Sequence, residues 1–388
     1  MKREKPGPWP GFSFSGAAAA LVILLACIMP ACGSSPAGPG APGSGPGQVV
    51  PPPMIPPPGP DDVNLAAVGD VMLDRGVADA IARNGLDSIL PVVAAQLNAA
   101  DIAFANLECP LAATGPHDPA KMIFRADPRT VEVFLQGGFD IVSLANNHAL
   151  DAGEAALVET IDHLEDAGIK YVGAAREPAR GSDPVFLDAR GTRIGFLAYT
   201  DLDFYCDSQS RVDAGLTNLR AQVAAARDSC DLLVVSFHWG EQDSEVPTHR
   251  QADVARASID AGADLILGHH PHVLQGAEVY KGRLILYSMG DFVFDARTSD
   301  EAESGIFEIY YRPGTGLELW MAPVRIASSR MGPEYPAAAE RDRVLLRFAQ
   351  LSAARNTSIT IANGLGYLDC PFQSTRGIGA SRLTPRRR

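Results

Sequence analysis

The sequence predicts an α/β fold with mainly parallel strands, and three observations carry that expectation. From Val63 onward, short apolar runs alternate with longer stretches in which apolar residues recur every three to four positions. Asp166-Ala167-Gly168 and Asp260-Ala261-Gly262 each close a helical stretch just before an apolar run, and glycine suits the left-handed residue that ends a helix. Carboxylate, amide or imidazole side chains follow the apolar runs, as expected at the carboxyl edge of a parallel sheet.

Taken in order, Val63–Val68 opens as a strand, and Gly76–Asn84 and Leu90–Ala99 follow as helices. Ile102–Ala105 and Ile141–Leu144 are strands on either side of a helix at Pro128–Gln136. Gly153–Ala167 is an amphipathic helix through Leu157, Val158, Ile161 and Leu164. Strands at Arg193–Ala198, Leu232–Phe237, Leu265–Leu267 and Leu284–Tyr287 are interleaved with helices at Leu216–Ala226 and His249–Ala261. The texture then changes. Gly305–Tyr311 and Leu317–Ile326 read as a hairpin around Pro313-Gly314-Thr315-Gly316. Pro336–Ala354 is a last helix, and the end, Arg386-Arg387-Arg388, reads as frayed.

Composition sets the outer limits. The chain has 388 residues, 46% hydrophobic and 20% charged, enough to bury a large core. Its 33 basic residues against 46 acidic ones give −13, a poor surface for nucleic-acid phosphates. Six cysteines without a Cys-x-x-Cys spacing exclude a disulfide-built scaffold and a zinc ribbon.

The first 62 residues differ from the rest. Lys2, Arg3 and Lys5 precede an apolar run from Ala17 to Met29, the layout of an export signal and too short for a membrane span. The end of the run resembles a bacterial lipoprotein signal, with Cys27 or Cys32 as the lipidated residue. Residues 1–32 thus read as a lipoprotein-type signal peptide of net charge +2, whose removal takes the mature chain to −15. Residues 33–62 are a Pro/Gly-rich linker holding eleven of the thirty prolines up to Pro60, an extended tether between membrane and folded domain. The expected location is periplasmic or cell-surface, lipid-anchored to a bacterial membrane. Cys109, Cys206, Cys230 and Cys370 would then sit where disulfides form, with three pairings open.

The chemistry lies past the strands. Gly69-Asp70-Val71-Met72, Asn106-Leu107-Glu108, Asn146-Asn147-His148 with Asp151, His238-Trp239-Gly240, Gly268-His269-His270-Pro271-His272 and Ser288-Met289-Gly290-Asp291 follow six of the seven strands before the hairpin, all but Arg193–Ala198. Two adjacent divalent ions need such oxygen and imidazole donors, with one carboxylate able to bridge. His270 and His272, two apart after a strand, are expected to project to one side by the period of two. Only two of the three imidazoles are needed, so His269 reads as structural. His117, His163 and His249 read as solvated, Cys109 as a core residue or half of a disulfide, and Trp239 as either a core or a stacking residue.

These phrases, in this order, resemble the CapA-type bacterial capsule-synthesis (poly-γ-glutamate biosynthesis) family of the calcineurin-like metallophosphoesterase superfamily. The likeness runs from about Val63 to Asp295. It implies a metallophosphoesterase-like four-layer α/β/β/α sandwich over residues 63–327, with residues 328–388 as a C-terminal helix and tail. It also implies two divalent metal ions (Mn, Fe, Zn or Mg). Asp70 and His272 would hold one, Asn147, His238 and His270 the other, and Glu108 would bridge them. His148 would be the general acid, oriented by Asp151. Arg75 and Arg125 are candidates to bind an anionic substrate, since a guanidinium matches phosphate and carboxylate geometry. Two departures stand out. Met72 occupies the place of a superfamily histidine, which weakens one ion site, and Glu108 replaces a shorter aspartate. Asp291, in a phrase where the family carries asparagine, is either an outer hydrogen-bond partner of a ligand histidine or a new ligand.

Function is expected in one of two classes. The first is an exported, membrane-tethered phosphoesterase or other metal-dependent hydrolase in capsule or poly-γ-glutamate biosynthesis. The second is a metal-dependent binding protein that helps export or anchor an anionic capsule polymer without turning it over. The partners implied are an anionic substrate or polymer, the membrane through a lipid anchor, and capsule-export machinery.

Overall fold

The computed structural model describes residues 53–202 and 217–372. The leader, Cys27, Cys32, Cys206 and residues 373–388 lie outside the described residues. No helix among the described residues is long and apolar enough to cross a membrane.

The first sheet begins with β1 (Val63–Val71), buried along its whole length. A parallel strand covered on both faces has no solvent side and so reads as an uninterrupted apolar run. After β1 come α1 (Arg75–Asn84), α2 (Ala94–Leu97), β2 (Ile102–Leu107), α3 (Val131–Gly137), β3 (Ile141–Ser143), α4 (Glu154–Asp166) and β4 (Lys170–Val172). β1 to β4 lie side by side in parallel.

The second sheet opens with the antiparallel pair β5 (Val185–Ala189) and β6 (Thr192–Thr200). It continues through α5 (Thr217–Arg227), β7 (Leu232–His238), α6 (His249–Ala261), β8 (Leu265–His269), β9 (Ala277–Tyr280) and β10 (Arg283–Leu286). Its order is β5-β6-β7-β8-β10-β9. The chain then returns to the first sheet. β11 (Asp291–Val293) pairs parallel with β1, and β12 (Glu303–Arg312) pairs antiparallel with β1. β13 (Gly316–Ala327), β14 (Gly332–Glu334), α7 (Ala338–Ala353), β15 (Thr360–Ala362) and β16 (Leu365–Pro371) complete it.

Three apolar clusters define the layers. In one, Val77, Phe134, Leu157, Ile161 and Leu164 from the helices pack on Val68, Ala105 and Val142 of the first sheet. In the second, Leu65 and Phe104 of the first sheet meet Phe196, Val234 and Leu267 of the second. The rings of Phe104 and Phe196 stack there 6.0 Å apart and 5° from parallel. In the third, Leu197, Val235 and Ile266 carry Leu219, Val223, Val254 and Ala255 of α5 and α6. Helix, sheet, sheet and helix thus form the four-layer α/β/β/α sandwich.

Several elements depart from the sequence reading in instructive ways. The helix expected over Leu90–Ala99 contracts to α2, because residues 91–93 form turns. α4 turns Ala156 and Thr160 inward with Leu157, Ile161 and Leu164, while Val158 is half-buried. The C-terminal segment contributes more than a helix and tail. β16 pairs with β13, and Val344, Leu345 and Phe348 of α7 enter the inter-sheet core. Cys109, Cys230 and Cys370 are free thiols, so no disulfide joins the described cysteines.

Candidate metal centre

The carboxyl ends of β1, β2 and β3 from one sheet and of β7 and β8 from the other meet in one buried pocket, so the functional edge belongs to two sheets rather than one. Two glycines make the meeting possible. A Cβ on Gly69 would lie 1.8 Å from the Gly290 carbonyl oxygen, and one on Gly268 would lie 2.0 Å from that of Tyr287. Only the absence of a side chain lets residues 287–290 thread this closely past β1 and β8. The Asp70 amide then donates to the Gly290 carbonyl (3.0 Å) and the Met289 amide to the Gly268 carbonyl (3.1 Å). The result sets Asp291 in register beside Asp70.

The donor atoms converge. His238 Nε2 lies 2.7 Å from Asn147 Oδ1, 3.2 Å from His270 Nδ1 and 3.7 Å from Glu108 Oε1. On the other side of Glu108, His272 Nε2 lies 3.8 Å from the same Oε1, and His272 Nδ1 is 2.8 Å from Asp291 Oδ1. Asp70 accepts from His269 Nδ1 (2.9 Å), Asn106 Nδ2 (2.9 Å) and the His270 amide (3.0 Å). One ligand atom each from Glu108, His238 and His270 lies within 4.8 Å of the others, and the same holds for Asp70, His272 and Asp291.

The electrostatics fit a cation. Burial pushes the Glu108 carboxyl up, and the negative charge of Asp70 adds to it. Its Oε1 is buried without a hydrogen-bond partner. A buried acceptor in that state is costly unless something else satisfies it, and a divalent ion between the two histidine groups is what this donor set would satisfy. Burial, then the neighbouring His270, holds His238 well below its usual value. Burial, then His272, holds His270 down at about 3. Both imidazoles are therefore neutral, the form that binds metal. Burial would raise Asp70, but the hydrogen bond and charge of His269, with His238 and His272, hold it below the usual carboxylate range. Burial would lower His272, but Asp291 and Glu108 outweigh it and push it up to about 10, so without an ion this ring carries the pocket's positive charge, and holding a metal would displace its Nε2 proton.

The histidines reach this pocket differently from the strand-period expectation. β8 ends at His269, and His270 (φ 96°) and His272 (φ 59°) both have left-handed backbone. Such conformations cost of order 1–3 kcal/mol each and persist where the surroundings over-determine them. The period of two does not apply across this turn, and the bend itself aims the two rings. His269, the last strand residue, holds Asp70 in place, which agrees with its structural reading. Trp239 is fully buried, stacks on Phe237 and donates to the Tyr287 carbonyl, so it is a core residue. Met72 is buried in the apolar cluster beneath α1, and its sulfur accepts from the Asp74 amide (3.1 Å). It offers no ligand.

Beside the pocket, His148 Nδ1 lies 2.8 Å from Asp151 Oδ2, and its ring stacks on Phe124 with centroids 4.3 Å apart. Asp151 Oδ2 also accepts from the Phe124 amide (2.8 Å). His148, His272, Asp291, Arg75 and Arg297 line one narrow cleft. Arg125 does not line it. Its guanidinium donates to the Gly115 carbonyl (2.7 Å), because its backbone is pinned the other way by Asp74. Asn106, which the sequence reading left without a role, is the hub of the pocket. Its Nδ2 also lies 3.3 Å from Glu108 Oε2 and 3.3 Å from His238 Nδ1. Its position near the end of β2, two residues before Glu108 and therefore on the same side of the chain, was the available signal.

Residues 64–296 match the model of the family described as bacterial capsule synthesis protein PGA_cap, more than half of the chain and every residue of the pocket. The chain belongs to this family. It is 31% identical over 297 residues to a capsule biosynthesis protein CapA of Bacillus anthracis, covering 73% of this chain and 72% of that one. It is 30% identical over 283 residues to a PGA biosynthesis protein CapA of Bacillus subtilis, covering 70% and 74%. Among solved structures, a phosphatase from Mycoplasma pneumoniae aligns with a TM-score of 0.39 at 15% identity, over 67% of this chain and 88% of that one. The PGA_cap match ends at residue 296, so β12 to β16 and α7 lie beyond it.

Proposed function

We propose that this chain is an exported, membrane-tethered, divalent-metal phosphoesterase acting in capsule or poly-γ-glutamate production. The observation that carries the reading is the convergence of His238 and His272 on the partnerless Oε1 of Glu108, with Asn147 and His270 gathered on His238 Nε2, beside the His148–Asp151 pair. His238, His270 and Asn147 would hold one ion, Asp70 and His272 the other, with Glu108 shared. Asp291 fixes the His272 ring through Nδ1, leaving Nε2 to face Glu108. Bound cations would supply Lewis-acid charge and a more acidic water.

The protein's own groups do the rest. The stack on Phe124 and the bond to Asp151 fix the His148 ring and leave Nε2 to deliver a proton to the departing oxygen. The names of the CapA relatives support a cell-envelope polymer as the setting. A lipid on Cys27 or Cys32, with the proline-rich tether, would hold the domain near the membrane where such a polymer is handled.

A second reading is favoured by Met72. Without a histidine at that position, the ion at Asp70 and His272 has fewer protein ligands, as in a protein that binds an anionic polymer without turnover. Hydrolysis of a chromogenic phosphodiester with added Mn²⁺ separates the two. Activity abolished by His148→Ala and by His238→Ala supports the enzyme. Metal-dependent polymer binding with no turnover supports the binding protein and overturns the first reading.

A further inference from the structure

We infer that Arg75 and Arg297 form a second anion subsite at the mouth of the cleft, reading a negatively charged group of the substrate next to the one held at the metal centre. The inference deepens the function proposed above and rests on it only for the first of the two anions.

Arg75 is held in the right place by two rings. Its guanidinium carbon lies 4.8 Å from the centroid of Phe124 and 5.6 Å from that of Phe294. Phe124 also stacks on His148, and the Phe294 ring lies 4.9 Å from that of His272. One aromatic ring therefore separates Arg75 from the acid histidine, and one separates it from the metal-pocket histidine. A guanidinium packed on aromatic faces keeps its planar edge free for an anion.

The donors of Arg75 are under-used. One nitrogen pairs with Asp295. Nη1 meets only the thioether sulfur of Met122 at 3.3 Å, a weak acceptor. Nε is buried with no partner. Arg75 also has φ of 49°, a conformation uncommon outside glycine and found where surroundings impose it. A purely structural arginine at the start of a helix would need neither the strained backbone nor the unspent donors.

Arg297 comes from the loop after β11 and lines the same cleft. Its guanidinium is held by the buried Glu301, through Nε and Nη2, and by Asp243 at 3.4 Å from Nη2, which leaves Nη1 as the donor these carboxylates do not use. The side chain is still 61% exposed, so the charge is anchored but open to solvent. Two guanidiniums, one from the start of α1 and one from the loop after β11, thus stand over one narrow opening, each beside its paired carboxylate, Asp295 and Glu301. The chemical class they select is a molecule with carboxylate or phosphate groups spaced along its length, one at the metals and the next between the arginines.

Calorimetric titration of the full mature chain, loaded with Mn²⁺, tests this. The probes are a γ-linked glutamate oligomer, its twin with the α-carboxylates amidated, and inorganic tripolyphosphate. The wild type should bind the charged oligomer about tenfold more tightly than the amidated one. Arg297→Gln, and separately Arg75→Lys, should erase most of that preference while Mn²⁺ uptake stays unchanged. Tripolyphosphate competition lost in both variants extends the class to phosphates, and no competition confines it to carboxylates. Equal affinity of the wild type for both oligomers overturns the inference, as does a weakening of both by the same factor in the variants. Selectivity that persists without Mn²⁺ uptake would sink the metal-centre reading and leave the subsite standing.

Discussion

Glu108→Gln should make the metal-free protein more stable and remove much of its response to metal. Glu108 is fully buried, its Oε1 has no partner, and both burial and Asp70 oppose its charge. A buried acceptor left unmade costs about 1–3 kcal/mol. Glutamine keeps the shape and the contact of Asn106 with the remaining oxygen, and it removes the charge facing Asp70. At roughly 2 °C per kcal/mol for a chain of this size, the melting midpoint in chelator should rise by about 2–6 °C. Ion binding works the other way. A ligand at a hundred times its Kd adds about 2.7 kcal/mol to the native state, so Mn²⁺ should raise the wild-type midpoint by about 5 °C. The variant lacks the bridging charge and should show a small fraction of that. Differential scanning calorimetry with chelator and with graded Mn²⁺ measures both effects. A variant that is less stable without metal and keeps the full metal-induced rise would refute the placement of Glu108 between two ion sites.

Three further outcomes follow from the same structure. Asp151→Asn removes a charged acceptor that serves both His148 and the Phe124 amide. It should lower kcat about 10- to 100-fold against about 10²- to 10⁴-fold for His148→Ala, with metal uptake unchanged by calorimetry. Gly69→Ala places a Cβ against the Gly290 carbonyl. It should cost roughly 1–3 kcal/mol and weaken metal binding, seen as a lower melting midpoint and a higher Kd for Mn²⁺. The Glu308 carboxyl, which accepts from Asn64 (2.6 Å) and Gln96 (2.9 Å), is pushed up by burial. The fold retains a proton that the unfolded chain gives up, so stability falls as pH rises from 4.5 through the higher folded value. Glu308→Gln should flatten that part of the midpoint-against-pH curve, with the partnerless Asn64 Oδ1 turning to accept the new amide. An unchanged slope would count against it.

What could be read from the sequence follows a physical divide. Buried parallel strands such as β1, β2 and β7 announce themselves as apolar runs because both faces are covered. Short or exposed edge strands do not. β15 is exposed at every residue and β4 begins with an exposed Lys170, so neither carries an apolar signature. In the pocket, Asp70, Glu108, Asn147 and His238 are legible because each lies at a strand's carboxyl end or within four residues past it, where a polar side chain costs free energy when buried without a purpose. The aim of His270 and His272 was not legible, since it depends on two left-handed residues that no alternation predicts. Arg125 looked as suitable as Arg75 in one dimension. Only the hydrogen bonds of Asp74 to the Arg125 amide and to His117 show which way that loop faces.

The pocket's stability problem is solved below it rather than within it. Its own residues work against folding: a carboxyl with one oxygen unpartnered, two imidazoles kept neutral by burial, and strained backbone at both ends of His270-Pro271-His272. Directly underneath, Phe104 stacks on Phe196 across the two sheets and also lies 6.0 Å from the His269 ring. The contact that locks the sheets together therefore also supports the histidine that holds Asp70. Because the candidate ligands come from both sheets, any slip between the sheets would separate Asp70 and Asn147 from His238 and His270. A site divided between two sheets can keep a fixed spacing only if the core between them is packed without play, and the unbroken apolar run from Leu65 and Phe104 to Phe196, Val234 and Leu267 provides that.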